Sequence, residues 1–126
     1  MLNAKDAVAT IAVRNIETAR QFYQDVVGLT LQPSVEEGDV LSFKSGNTNL
    51  IVYRSQYAGT NQATTATWDV DDDLDGVVAS LKSKGVTFEH YDMPGVTRTG
   101  DVHATPNSRV AWFKDPDGNI LALSGR

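Results

Sequence analysis

Short runs of apolar and β-branched residues recur along the chain, and two longer stretches carry apolar residues at helical spacing. The short runs are typical of β-strands. They lie at 7–13, 29–35, 40–44 and 49–54 in the first half, and at 64–70, 86–90, 109–114 and 119–123 in the second half. Apolar side chains every three or four positions predict one helix over 16–26 and another over 74–81. Each half is therefore predicted to fold as β-α-β-β-β.

Polar residues and glycines mark the ends of the predicted helices. Asn15 precedes the first helix, where its side chain can accept a hydrogen bond from a free backbone N–H. Three aspartates at 71–73 precede the second helix, where capping groups and negative charge are favourable. Gly28 and Gly85 follow the two helices and suit the left-handed conformation that ends a helix.

The two halves align as an internal repeat. The sequence GLTL, which begins at Gly28, corresponds to GVTF, which begins at Gly85. A polar segment at 55–63 separates a first unit at 5–54 from a second unit at 64–124. Neither half alone can bury a large core, so we expect the halves to pack together or to exchange with a second chain. The predicted fold class is α+β.

Composition narrows the class of protein. With 126 residues, of which 40% are hydrophobic, the chain suits one domain built from two small halves. The formal net charge of −5 disfavours a nucleic-acid partner, because phosphate binding needs a basic surface. The absence of cysteine excludes disulfides and fits a reducing cytosol. The sequence shows neither a signal-peptide pattern nor the roughly 20 apolar residues of a membrane helix, so we expect a cytoplasmic protein with no membrane partner.

The stretch AWFKDPDGNILAL, at 111–123, predicts two strands joined by a tight turn. Pro116 fixes φ at the value of an early turn position, Asp115 can cap the turn through its side chain, and Gly118 accepts a left-handed conformation. These properties account for a stable turn without any reaction, so we assign this turn a structural role.

Several of these features together resemble one known family. They are the strand that leads into Asn15 and Ile16, the Phe22–Tyr23 pair, the GL that follows the first helix, and the closing FKDPDGN hairpin. In this combination the chain resembles the vicinal oxygen chelate superfamily, which includes glyoxalase I, bleomycin-resistance proteins, fosfomycin-resistance enzymes and extradiol dioxygenases. The resemblance covers nearly the whole chain. It implies two tandem βαβββ units that form a cupped, mostly antiparallel sheet with the helices on the outside.

The resemblance also implies where a metal would be bound. Metal-dependent members carry His, Glu or Gln on the first and last strands of each unit. The corresponding positions here are Val8, Ile51, Thr65 and Ala122. These side chains are poor ligands for a divalent ion, so we expect no metal and no cofactor. Among the members of the superfamily, the chain is then closest in kind to the bleomycin-resistance type.

The two histidines leave another possibility open. His90 and His103 lie 13 residues apart, with Glu89 and Asp101 near them in sequence. They are either polar residues at the rim of the cup, or a metal site or acid–base pair.

Strand alternation assigns side chains to the face of the cup. Phe43 and Phe113 are predicted to face the helices. The candidate ligand-binding residues on the cup side are Thr10, Ser42, Tyr53, Thr67, Asp69, His103 and Trp112. A mildly apolar cup with a few hydroxyls, one carboxylate and aromatic rings suits an organic ligand.

Some of these candidates have a purely structural alternative. Trp112 could fill the core, and Tyr53 could lie in an interface. Asp69 could pair with a basic residue, for which the candidates are Lys44, Lys114 and Arg109. His103 could be a loop residue without a role.

The segment 92–108 is predicted as a long loop rich in Gly, Pro and Thr. At 17 residues it exceeds the usual connection within a compact domain. Together with Tyr91 it could be a lid over the cup, a mobile hairpin or a dimer contact.

Three functions remain open from the sequence. The first is metal-independent binding of a small organic molecule in an aromatic-lined cavity, for sequestration, resistance or sensing, with the chain as a homodimer. The second is a lyase or isomerase of the glyoxalase-like type that uses His103, Asp69 or His90 for acid–base chemistry. The third is a protein interface with a vestigial cavity.

Overall fold

The computed structural model describes residues 1–33 and 38–126. The chain divides into two compact units. The first unit contains residues 1–60 and 116–119, and the second contains residues 61–115 and 120–126. Together the described residues form two helices and ten strands in two sheets, which confirms the α+β class. Part of the strand predicted over 29–35, and the start of the turn after it, lie outside the described residues.

The first unit follows the predicted β-α-β-β-β order. Its elements are β1 (Ala9–Val13), α1 (Ile16–Gln21), β2 (Thr30–Leu31), β3 (Val40–Ser45) and β4 (Thr48–Arg54). The strand order is β1-β4-β3-β2, in which only β1 and β4 run parallel. Helix α1 continues as a π-helical turn at Phe22–Val26, and a short 3₁₀ turn lies at Leu2–Ala4.

One face of the first sheet forms a buried core. Ile11, Val13 and Val52 are fully buried, as are Phe43 and Tyr23. The rings of Tyr23 and Phe43 lie 6.0 Å apart, so the helical segment packs on this face of the sheet. This placement confirms the prediction that Phe43 faces the helix.

The predicted helix ends of the first unit are also present. The Asn15 side chain accepts a hydrogen bond from the Thr18 backbone N–H at 2.9 Å. Such a cap satisfies one of the free donors at the start of α1. Gly28 follows the helical segment with φ of 87°, a left-handed conformation that glycine adopts without a steric penalty.

The second unit has the predicted order with one addition. Its elements are β5 (Thr64–Asp71), α2 (Leu74–Ser83), β6 (Phe88–Glu89), β7 (Thr97–Thr99), β8 (Val102–Thr105), β9 (Ser108–Lys114) and β10 (Ile120–Gly125). The strand order is β5-β10-β9-β8-β7, and β6 also pairs with β9. Only β5 and β10 run parallel.

The addition is a hairpin within the segment that we predicted as a loop. Strands β7 and β8 pair antiparallel around Gly100, which has φ of 61°. The segment predicted as a long loop over 92–108 therefore contains a hairpin at 97–105, one of the alternatives given for it. Strand β7 is exposed and contains no apolar residue, and the alternation of β8 covers only four residues, so the pattern is too short to predict the hairpin.

The core of the second unit lies between its sheet and α2. Leu74, Leu81 and Phe113 are buried, and the rings of Phe88 and Phe113 are 5.6 Å apart. Phe113 therefore faces the interior, as predicted. Asp73 occupies the cap position of α2, but its side chain makes no capping hydrogen bond, unlike the prediction for the aspartates at 71–73. No helix in the described part of the chain is long and apolar enough to cross a membrane.

Candidate functional site

Strand register brings the predicted site residues of the second unit onto one face of its sheet. Directly opposed residues on neighbouring strands share a face. Thr67 pairs with Ala122, and Ala122 pairs with Trp112. The next row on the same face runs from Asp69 through Ser124 and Val110 to His103. All four candidates of this unit therefore belong to two adjacent rows of one surface.

Three aromatic rings meet at the end of these rows. The ring of His103 is 4.9 Å from that of Trp112 and 6.0 Å from that of Tyr91. The rings of Tyr91 and Trp112 are 5.4 Å apart and nearly perpendicular. Edge-to-face packing of this kind is favourable beyond the burial of area alone. We call Tyr91, His103 and Trp112 the aromatic cluster.

The arrangement of strands explains why the aromatic cluster forms. Strand β9 has β10 along one edge, while β6 and β8 share its other edge. Strand β8 pairs with the beginning of β9, and β6 pairs with its end through Phe88–Phe113 and Glu89–Trp112. Tyr91, just beyond β6, is thereby placed beside His103 of β8.

The polar atoms of the aromatic cluster are held by specific hydrogen bonds. The Trp112 indole Nε1–H donates to Thr64 Oγ1 at 3.1 Å. The Tyr91 backbone N–H donates to His103 Nε2 at 2.9 Å. Burial, helped by the charge of Glu89 and opposed by Lys114, raises the pKa of the Tyr91 phenol. The phenol is therefore neutral at physiological pH.

A cavity of about 300 Å³ lies against this cluster and opens to solvent. It is lined by Gln62, Ala63, Thr64, Tyr91, Trp112 and Ile120. The walls are aromatic and aliphatic, and the polar groups are the hydroxyls of Thr64 and Tyr91, the Trp112 indole N–H and the Gln62 amide. This volume is at the lower end of the range for pockets that hold small organic molecules.

The candidates of the first unit also share one face of their sheet. Thr10 and Ser42 flank Ile51 in one row, and Tyr53 lies in the next row. Ser42 Oγ donates to Gln32 Oε1 at 2.8 Å, and Thr10 Oγ1 donates to the Val8 carbonyl at 3.2 Å. Tyr53 is 39% exposed. This face combines hydroxyls with an aromatic ring, as expected from strand alternation.

The two histidines do not come together as a pair. His90 Nε2 lies 2.8 Å from Asp101 Oδ1, and Lys82 Nζ lies 2.8 Å from Asp101 Oδ2. His103 instead bonds to the Tyr91 backbone. Within residues 1–33 and 38–126, no group of three His, Asp or Glu side chains is arranged to hold a metal ion.

The positions where relatives would bind a metal do not fit a divalent ion. Val8, Ile51 and Ala122 have no donor atom, and Thr65 offers only a hydroxyl. Divalent ions prefer imidazole, carboxylate or several oxygen ligands. The donor set of this chain therefore does not match that of the metal-dependent members.

Among the acid–base candidates in the described residues, His90 contacts Asp101 at 2.8 Å, but neither side chain lines the cavity. Asp69 and His103 are separated by three strand spacings, which is about 14 Å. Asp69 Oδ1 accepts the Asp71 backbone N–H at 3.0 Å and forms no ion pair with any described residue, so its predicted pairing with Lys44, Lys114 or Arg109 is wrong. His103 lies in a strand and is 2% exposed, so the loop assignment for it is also wrong.

Sequence reasoning placed Tyr91 only in a possible lid over the cup, and it left Thr64 out of the site. Tyr91 is two residues beyond Glu89, which shares a face with Trp112. Extending the alternation from Phe88 would have placed Tyr91 on the site face. Thr64 joins the site through its hydrogen bond to Trp112, and no residue pattern signals that contact.

The architecture and the site face together define a class of protein. The chain belongs to the Glyoxalase/Bleomycin resistance protein/Dioxygenase superfamily, whose family model matches residues 6–123. This match confirms the resemblance drawn from the sequence. A comparison with curated protein sequences gave no significant match.

Solved structures similar to this chain include both enzymes and binding proteins. The antibiotic binding protein TnmS3 of Streptomyces sp. CB03234 is 25% identical, with 97% of each chain covered and a TM-score of 0.65. A glyoxalase/bleomycin resistance protein from the same organism is 26% identical, with 94% of this chain and 98% of that chain covered and a TM-score of 0.63. Lactoylglutathione lyase from Agrobacterium tumefaciens is 19% identical, covers 97% of this chain and 93% of its own, and has a TM-score of 0.71. The last likeness shows the fold alone.

Proposed function

We propose that this protein binds a small organic molecule, without a metal, in the cavity beside the aromatic cluster. The observation that carries the proposal is the pairing of Tyr91 and Trp112 along one wall of an open cavity of about 300 Å³. Aromatic walls with a few placed polar groups are typical of small-molecule sites. The 25% identity to an antibiotic binding protein supports a binding role of the sequestration or resistance type.

The polar groups of the cavity fit a largely neutral ligand. Thr64 Oγ1 already accepts from the Trp112 indole, so its hydroxyl hydrogen is available as a donor. The Gln62 amide offers both a donor and an acceptor. No charged side chain lines this cavity in the part of the chain that the structure describes.

Binding of a neutral aromatic probe would test the proposal. We expect 1-indanone to shift the indole N–H resonance of Trp112 in a ¹H–¹⁵N NMR titration, to the same extent with and without EDTA. Tyr91→Ala removes one aromatic wall and should weaken binding at least about fivefold, because aromatic contacts contribute roughly 1 kcal/mol. Tyr57→Ala is the matched control, since Tyr57 is 69% exposed in the polar segment and does not line this cavity.

Two results would contradict this proposal. Binding that EDTA abolishes would show that a metal takes part. Equal weakening by Tyr91→Ala and Tyr57→Ala would place the probe elsewhere on the surface.

A homodimer and a cytoplasmic location stay predictions from the sequence. Sedimentation equilibrium of the purified chain would measure whether it is a homodimer. Fractionation of the source cells would show whether the protein is cytoplasmic.

A further inference from the structure

His103 is a buried polar side chain in the second sheet. Only 2% of its surface is exposed. Its Nε2 accepts the Tyr91 backbone N–H at 2.9 Å. Its Nδ1 is also buried and has no hydrogen-bond partner among the described residues. Buried polar atoms are nearly always hydrogen-bonded, so this atom calls for an explanation.

The Tyr91 hydrogen bond determines which ring nitrogen carries the proton. A nitrogen that accepts a hydrogen bond has its lone pair free, so Nε2 is the unprotonated atom of the neutral ring. The proton of the neutral imidazole is then on Nδ1. His103 therefore presents a buried N–H donor with no acceptor from the described protein groups.

No neighbouring side chain in the described residues supplies that acceptor in this structure. The Trp112 indole nitrogen is a donor only, and it is already bonded to Thr64. The Tyr91 backbone N–H is likewise a donor. A ligand that enters beside the aromatic cluster can supply the missing acceptor for Nδ1.

The cavity provides the route for such a molecule. Tyr91 and Trp112 line the cavity and also contact the His103 ring. We infer that His103 is a specificity-determining donor, which favours ligands that carry a hydrogen-bond acceptor such as a carbonyl oxygen. This inference rests on the proposed function. Because His103 does not itself line the cavity, the inference requires the rings of Tyr91 and Trp112 to move, and ligand binding should therefore perturb them.

The tautomer can be tested without any ligand. Two-bond ¹H–¹⁵N spectra of the imidazole rings distinguish a protonated nitrogen from an unprotonated one, and His103→Gln assigns the signal. We expect the His103 ring to carry its proton on Nδ1. A spectrum with the proton on Nε2 would overturn the inference.

The role in specificity can be tested with two probes of the same skeleton. 1-Indanone carries one carbonyl that indane lacks. We expect wild-type protein to bind 1-indanone about fivefold more tightly than indane, which corresponds to one neutral hydrogen bond.

Two substitutions separate the two nitrogens of His103. In His103→Asn, the amide nitrogen occupies the place of Nδ1, so the preference for 1-indanone should persist. In His103→Gln, the amide oxygen can take over the bond from the Tyr91 backbone N–H, while the donor at the Nδ1 position is lost. This variant should bind the two probes equally.

The outcomes distinguish this inference from the proposed function. If both probes bind wild-type protein with equal affinity, the cavity binds organic molecules and the donor role of His103 is wrong, as expected if an ordered water satisfies Nδ1. A preference that survives in His103→Gln would also show that His103 is not the donor. If neither probe binds, both the proposed function and this inference fail.

Discussion

Asn119 shows how one side chain of the closing turn holds a distant strand in the first unit. It is 4% exposed, and its Nδ2 donates to the Ala12 carbonyl at 2.8 Å. Asp117 of the same turn accepts the Arg14 backbone N–H through Oδ1 at 3.2 Å. The turn therefore bonds to the backbone at and just after the end of β1, which gives the DPDGN sequence a structural role.

Replacing this amide should destabilise the fold without a change in side-chain shape. Asn119→Asp exchanges the donor for a carboxylate oxygen that faces the Ala12 carbonyl. We expect the free energy of unfolding to fall by about 2–3 kcal/mol, because a buried acceptor loses its partner and a charge is buried. Urea denaturation measures this loss.

Asn107→Asp is the matched control for the added charge. Asn107 lies in an exposed turn between β8 and β9, so its substitution should change stability by less than about 0.5 kcal/mol. Similar losses in the two variants would show that the Ala12 hydrogen bond is unimportant.

For single residues, the sequence predicted which face of a strand a side chain lies on better than it predicted the hydrogen-bond partner of that side chain. Alternation placed Phe43 and Phe113 in the core, because a strand with one buried face has a strict period of two. The partner of Trp112 was not predictable, because Thr64 meets the indole only through strand register. His103 alternates with the apolar Val102 and Ala104, so the pattern places it on the face opposite the apolar residues and does not signal its burial.

Three charged or polar side chains tie the β7–β8 hairpin to neighbouring elements. Asp101, in the turn of the hairpin, bonds to Lys82 of α2 and to His90 after β6, each at 2.8 Å. The hydrogen bond from Lys82, followed by the one from His90, lowers the pKa of the Asp101 carboxyl. The charged form of this carboxyl is thus favoured in the folded state.

The lowered pKa of Asp101 predicts a defined pH dependence. A carboxyl with a lower pKa in the folded state stabilises the fold above its unfolded pKa, which is about 3.9. That stabilisation is lost as the pH falls through the folded pKa. We expect Asp101→Asn to be less stable than wild type by up to about 1 kcal/mol at pH 6, and the two to converge as the pH falls through the folded pKa of Asp101.

Asp92→Asn provides the comparison for this experiment, measured as unfolding free energy against pH. Asp92 is exposed and forms no ion pair with the described residues. Its substitution should leave the curve close to that of wild type. A difference between Asp101→Asn and wild type that stays constant down to pH 2 would refute the role of the carboxyl charge.

Elements with an apolar pattern of their own were predictable from the sequence, and the β7–β8 hairpin was not. The stripe of α2 extends over two turns, and β9 carries a run of four apolar residues, so the pattern identifies both. Strands β7 and β8 have three and four residues, and they form because a hairpin closes on Gly100 and β8 pairs with β9. Such strands depend on tertiary pairing, which a local pattern does not contain.

For the whole molecule, the family match indicates the fold, whereas the side chains at the four metal-ligand positions indicate whether a metal can bind. The family model covers residues 6–123, and relatives of this fold include a lyase and an antibiotic binding protein. A fold shared by such different proteins does not determine the reaction. The chemistry of Val8, Ile51, Thr65 and Ala122 is therefore the more informative observation about a metal.

The Tm of the protein in the presence of metal ions tests whether these four positions bind a metal. A ligand that binds only the folded state at a hundredfold excess over its Kd stabilises the fold by about 2.7 kcal/mol. We expect Ni²⁺, Zn²⁺ and Mn²⁺ to leave the Tm equal to that in EDTA, because the four positions offer a single hydroxyl.

The control concerns His90 and Asp101, which lie outside those four positions and could bind a transition metal weakly, so the measurement is repeated with His90→Ala. A rise of several degrees that persists in His90→Ala would show a metal site that the donor set does not explain, and it would overturn metal-independent binding.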